Sequence, residues 1–76
     1  MGHRSLEAAR HRLGLTYMDL WIDYFALGGN LAADQLALYL RGTRNVGEFD
    51  HNVLTHALNE RLHDLGENHP LTYRAV

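Results

Sequence analysis

The sequence predicts a single all-helical domain made of four helices with short connections. Apolar residues recur at helical spacing, and no stretch alternates in the manner of a strand. Glycines follow the apolar segments, as they do at helix C-termini. A chain of 76 residues has room for one core only. We therefore expect helices over approximately 5–13, 17–27, 31–41 and 51–65, and a tail over 67–76.

The first helix has a thin apolar stripe. Ser5 is its expected N-cap, because a serine hydroxyl can accept a hydrogen bond from a backbone N–H of the first turn. Leu6, Ala9 and Leu13 share one face, and Gly14 ends the segment.

The second helix is predicted to begin after Thr16 and to be apolar nearly all round. Asp19 stands three residues after Thr16, which is the spacing of a capping box. Asp19 and Asp23 lie four apart and so define one polar edge. Gly28 and Gly29 end the segment.

Asn30 is the expected N-cap of the third helix, which Gly42 ends. Asp50 is the expected N-cap of the fourth helix, and Gly66 follows its last turn. The apolar stripe of the fourth helix has a regular helical period and comprises Val53, Leu54, Ala57, Leu58, Leu62 and Leu65. Arg61 lies beside this stripe, and we expect it to reach the carboxylate of Asp19 or Asp23.

Composition excludes several classes of function. Without cysteine there is no disulfide, thiolate metal site or cysteine nucleophile. The formal net charge of −2 gives no general affinity for nucleic acid or acidic lipid. No apolar run is long enough to span a bilayer, and residues 1–5 lack the apolar stretch of a signal peptide. We expect a cytoplasmic protein without a membrane partner.

The first helix is basic, with Arg4, Arg10 and Arg12 on it. A DNA-binding transcriptional regulator that contacts the DNA backbone through these arginines is the alternative function. Three arginines without interleaved aromatic residues are a weak indication of nucleic-acid binding. The third helix carries the acidic Asp34 where a recognition helix needs a basic residue. We therefore interpret the three arginines mainly as part of an exposed helix face that does not bind nucleic acid.

No candidate metal or catalytic site is specific. His56, Glu60 and His63 share one helix face and could hold a zinc ion, but their order is not that of a zincin. A solvated polar face explains them better. No serine or threonine lies in a glycine-flanked elbow. We expect no enzyme, no metal, no cofactor and no small-molecule substrate.

The apolar excess of the second helix is the main functional indication. A helix that is apolar all round needs cover on every side, which three short helices provide with difficulty. We predict a partner interface at Trp21, Phe25, Tyr24 and Tyr39, used in a homodimer or with another protein. Complete cover by the other three helices remains the alternative.

Two stretches, LWIDYFALGG at 20–29 and HNVLTHALNERL at 51–62, resemble a family of small actinobacterial helical modules. The resemblance includes Tyr39–Gly42 and the pair His69-Pro70. The absence of lysine fits a GC-rich source. Some members are attached to signalling or regulatory domains. The resemblance therefore implies a non-catalytic interaction or regulatory module and transfers no catalytic residue.

Overall fold

A computed structural model describes residues 2–66 and Leu71, and these residues form four α-helices and no strand. The helices are α1 (Gly2–Leu13), α2 (Tyr17–Ala26), α3 (Ala33–Leu40) and α4 (Glu48–Asp64). The predicted all-α, four-helix architecture is confirmed. The predicted tail over 67–76 lies outside the described residues, apart from Leu71. Within the described part of the chain, no helix is both long and apolar enough to cross a bilayer.

The core lies between two pairs of helices, because α1 and α2 each pack against both α3 and α4. Every helix contributes leucine to it. Burying one leucine side chain stabilises the fold by about 2 kcal/mol. The fully buried leucines are Leu6, Leu20, Leu36, Leu40, Leu54, Leu58 and Leu62.

Helix α1 begins at Gly2, so the predicted N-cap at Ser5 is wrong, and Ser5 lies inside the helix. A tertiary contact accounts for the additional turn. The ring of His3 meets the ring of Tyr39 edge to face, with centroids 6.3 Å apart. Packing of His3 and Leu6 against the rest of the domain stabilises a helical turn that lies before Ser5.

The capping box of α2 is confirmed. The Asp19 backbone N–H donates to Thr16 Oγ1, and the Thr16 N–H donates to Asp19 Oδ2, both at 3.0 Å. The helix ends at Ala26, one residue before the predicted end. Gly28 then takes a φ of +100°, a left-handed conformation that favours glycine.

The predicted N-cap of α3 at Asn30 is wrong, because the helix begins only at Ala33. The backbone N–H groups of Asn30 and Leu31 both donate to the hydroxyl of Tyr24. This holds the chain away from helical geometry for two more residues. The Ala32 N–H then donates to Gln35 Oε1 at 3.0 Å, and this hydrogen bond is one half of a capping box.

Helix α4 is a turn longer at its start than predicted. Its N-cap is Gly47, so the prediction of Asp50 as N-cap is wrong. The Asp50 carboxylate accepts a hydrogen bond from Tyr24 instead of capping its own helix. Near the other end, the buried amide of Asn59 exchanges two hydrogen bonds with the backbone of Leu71, both at 3.2 Å.

Candidate protein-binding surface

One side of α2 presents apolar side chains to solvent. Met18, Ile22 and Phe25 stand at positions i, i+4 and i+7, which places them on one helix face. Their exposed fractions are 53%, 56% and 58%. We call these three residues the α2 stripe. The interpretation in which the other three helices cover α2 completely is therefore wrong.

Trp21 borders the α2 stripe and is held in a fixed position. Its ring stacks on Phe25 with centroids 5.1 Å apart and an interplanar angle of 24°. Its indole N–H donates to the Leu31 carbonyl at 2.8 Å. The side chain is half-buried, so part of the indole extends the exposed apolar surface. An indole that is already positioned by a hydrogen bond and by ring stacking can be covered by another protein at a small entropic cost.

The opposite side of α2 is buried, and Tyr24 lies in it. Tyr24 is 0% exposed, so the prediction that it contributes to a partner interface is wrong. Its hydroxyl donates to Asp50 Oδ1 at 2.6 Å and accepts the N–H groups of Asn30 and Leu31 at 2.9 and 2.7 Å. Burial, followed by the hydrogen bond to Asp50, raises the pKa of Tyr24 above its ordinary value.

Gly29 has a second role beyond the predicted one of ending α2. A Cβ atom placed on it would lie 2.1 Å from the ring of Tyr24. The backbone therefore passes directly against the tyrosine ring, and this close approach is what places the Asn30 and Leu31 N–H groups on the hydroxyl.

Tyr39 is also buried, so its predicted place in the partner interface is wrong. Its hydroxyl lies 2.7 Å from Nδ1 of His51, and the two rings meet at 86°. His51 is buried as well. Both tyrosines were predicted at the interface because their helices carry more apolar surface than one small domain readily covers. Polar side chains of α4 instead bind their hydroxyls inside the domain.

The predicted nucleic-acid contact at Arg10 is wrong, because Arg10 is buried. Its guanidinium donates to both carboxylate oxygens of Glu7, at 2.7 and 2.8 Å, and to the Leu15 carbonyl at 2.6 Å. It also lies 4.0 Å from the centroid of the Tyr17 ring. The hydrogen bond from Arg10 lowers the pKa of Glu7. Arg4 and Arg12, the other two predicted contacts, are exposed.

The predicted reach of Arg61 is confirmed. Arg61 Nε lies 2.5 Å from Asp23 Oδ2 and joins α4 to α2. The hydrogen bond to Asp23 raises the pKa of Arg61. This pair occupies the polar edge of α2 and limits how far the α2 stripe extends round the helix.

The polar face of α4 does not assemble the suggested zinc ligands. His56 Nε2 lies 3.4 Å from Glu60 Oε2, and both side chains are exposed. Among the described residues, no group of three histidine, aspartate or glutamate side chains is placed to hold a metal ion.

A second apolar feature was missed by the sequence analysis. Leu27, Phe49 and Val53 line an open groove of about 500 Å³ between the end of α2 and the start of α4. Phe49 is among the most exposed apolar residues. The available signal was an aromatic residue between Glu48 and Asp50 in the first turn of α4, where an apolar side chain has no capping role.

Comparison of the chain with protein-family models, with curated proteins and with solved structures finds no match. The resemblance to actinobacterial helical modules therefore stays a prediction.

Proposed function

We propose that this protein is a small, non-catalytic interaction module of the cytoplasm, which uses the α2 stripe to bind a second copy of itself or a regulatory protein. The observation that carries the proposal is the exposure of Met18, Ile22 and Phe25 on one face. Each is more than half exposed, although large apolar residues are usually buried.

The form of the surface supports a protein partner. The α2 stripe is a row of apolar side chains on a regular helix, bordered by Trp21. An apolar centre with aromatic residues is typical of the buried part of protein interfaces. The polar edge with Asp23 and Arg61 lies beside it and is suited to remain wet at an interface rim.

Self-association is the first form of the proposal to test. A helix face that pairs with its own copy forms a two-fold interface, in which each side chain meets the same surface on the partner. Ile22, at the middle of the α2 stripe, would then lie near the axis.

Sedimentation equilibrium at micromolar concentrations tests this form. We expect a concentration-dependent rise in average mass for the wild-type chain and a monomer for Met18→Gln/Ile22→Gln. The matched control is Leu65→Gln, which removes an exposed apolar side chain at the end of α4. It should associate like the wild type.

If the wild-type chain stays monomeric at every concentration, self-association is excluded. Binding to a regulatory protein is then the form of the proposal to test, with the same double variant. A pulldown from the native host should recover a protein with the wild type and Leu65→Gln, and lose it with the double variant.

The alternative of DNA binding is weakened by the burial of Arg10 in the contact with Glu7. Under that alternative, the exposed side chains of Arg4 and Arg12 would contact the DNA backbone. Binding to duplex DNA that falls steeply with salt and is lost in Arg4→Gln/Arg12→Gln would favour that alternative over the interaction module.

A further inference from the structure

Away from the α2 stripe, helices α1 and α3 border an open surface cleft of about 570 Å³ with basic side chains on its walls. His3, Arg4 and His11 come from α1, and Arg41 comes from the end of α3. We call this the α1–α3 cleft. We propose that it binds the phosphate group of a small phosphorylated molecule, or free phosphate.

Helical spacing arranges the α1 wall. Arg4, Ala8 and His11 stand at i, i+4 and i+7 and share one face. The small Ala8 lies between the two longer side chains and leaves room between them.

Gly42 brings the two helices together at the end of the cleft. A Cβ atom on Gly42 would lie 2.7 Å from Nε2 of His3. Glycine at this position thus allows the first turn of α1 to approach the end of α3. The sequence places Arg4 and Arg41 far apart, and this approach puts both on one cleft.

The charge of the cleft is positive although the chain as a whole has a net charge of −2. Glu7 also lines the cleft, and its carboxylate accepts hydrogen bonds from Arg10 and lies 3.7 Å from Nε2 of His11. Among the described residues, no carboxylate forms an ion pair with Arg4 or Arg41. Both guanidinium groups can therefore bind an anion, and that of Arg41 also lies 5.6 Å from the centroid of the Tyr17 ring.

Phosphate is the anion that this arrangement suits. A guanidinium group binds phosphate through two parallel N–H bonds, and two arginines can engage different oxygens of one group. The ring N–H of a histidine can add a further hydrogen-bond donor. The cleft is open to solvent, which leaves space for what the phosphate is attached to.

Heteronuclear NMR of the isotopically labelled full chain tests the proposal, with inorganic phosphate and glycerol phosphate as probes and chloride used to hold ionic strength constant. We expect saturable shifts of the side-chain N–H signals of Arg4 and Arg41, with a Kd on the order of 1 mM for phosphate alone. Tighter binding of glycerol phosphate identifies a phosphorylated molecule as the ligand. Equal binding identifies free phosphate.

The variants Arg4→Gln and Arg41→Gln should each weaken binding about tenfold. Arg44→Gln is the matched control, since it removes an exposed arginine that does not line the cleft. It should bind phosphate like the wild type. Both cleft side chains are exposed, so these variants should retain the wild-type spectrum elsewhere.

The proposal is overturned if the shifts do not saturate, or if Arg44→Gln weakens binding as much as the cleft variants do. It is also overturned if duplex DNA shifts the signals of Arg4, Arg12 and Arg44 alike while phosphate shifts none, because a diffuse cationic surface would then be responsible.

Discussion

The two sides of α2 have similar residue types and opposite environments. On one side, Leu20 and Tyr24 are completely buried, and the Tyr24 hydroxyl has three hydrogen-bond partners. On the other, Met18 and Ile22 are more than half exposed. Apolar composition alone therefore does not predict which side of a helix is buried.

The difference separates stability from association. Side chains on the buried side hold α3 and α4 in place through packing and through the Tyr24 hydroxyl. Side chains of the α2 stripe contribute little to the free energy of unfolding of a single chain. Substitutions on the buried side should lower the free energy of unfolding, and substitutions on the exposed side should change association alone.

The largest effect on stability is expected at Leu20. Leu20→Ala removes a completely buried side chain and leaves a cavity, which should lower the free energy of unfolding by about 3 kcal/mol. Urea denaturation followed by circular dichroism measures it. A loss below about 1 kcal/mol would mean that the buried side of α2 is not tightly packed.

Tyr24→Phe is expected to cost about 2 kcal/mol. The change keeps the ring but removes the hydroxyl, so that Asp50 and the N–H groups of Asn30 and Leu31 lose their shared partner. The same urea experiment measures the loss. Hydrogen exchange at Leu31 should accelerate as well, and unchanged exchange there would contradict the assigned role of the hydroxyl.

Acid should weaken the ion pair between Glu7 and Arg10, which both lie on α1. The pKa of Glu7 is lowered in the folded chain, so its contribution to stability is present above its ordinary value of 4.5 and is lost as the pH falls below that value. Glu7→Gln should cost about 1 kcal/mol at neutral pH and progressively less in acid. A difference from wild type that is constant between about pH 6 and pH 3 would contradict this.

The smallest stability effect is expected for the α2 stripe. Met18→Gln/Ile22→Gln should change the free energy of unfolding of the monomer by about 0.5 kcal/mol or less, because both side chains are mostly exposed. Denaturation at concentrations below the association range measures this. A loss as large as that of Tyr24→Phe would remove the distinction between the two sides.

The sequence predicted the helices better than their first residues. Apolar periodicity and the glycines at helix ends are local signals, and they located all four helices. Thr16 and Asp19 are also a local pair, and their capping box was predicted correctly. The starts of α3 and α4 depend on the hydroxyl of Tyr24, which bonds Asp50 across 26 positions of the chain. No local pattern reports such a contact.

The candidate surface was predicted in part for the same reason. The sequence indicated that α2 has more apolar circumference than the domain can cover, and Phe25 is exposed as expected. It could not separate Phe25 from Tyr24, because the choice depends on which polar groups of α4 face the helix. The burial of Arg10 was more accessible to prediction, since Glu7 stands three residues before it on the same helix.

The central claim is that the α2 stripe is covered by protein when the molecule functions, and Trp21 is placed to report this. It is the single tryptophan of the chain and stacks on Phe25. We expect acrylamide to quench its fluorescence less at high than at low protein concentration, and Met18→Gln/Ile22→Gln to abolish the dependence. Quenching that does not change while the average mass rises would show that the chain associates through another surface, and would contradict the account.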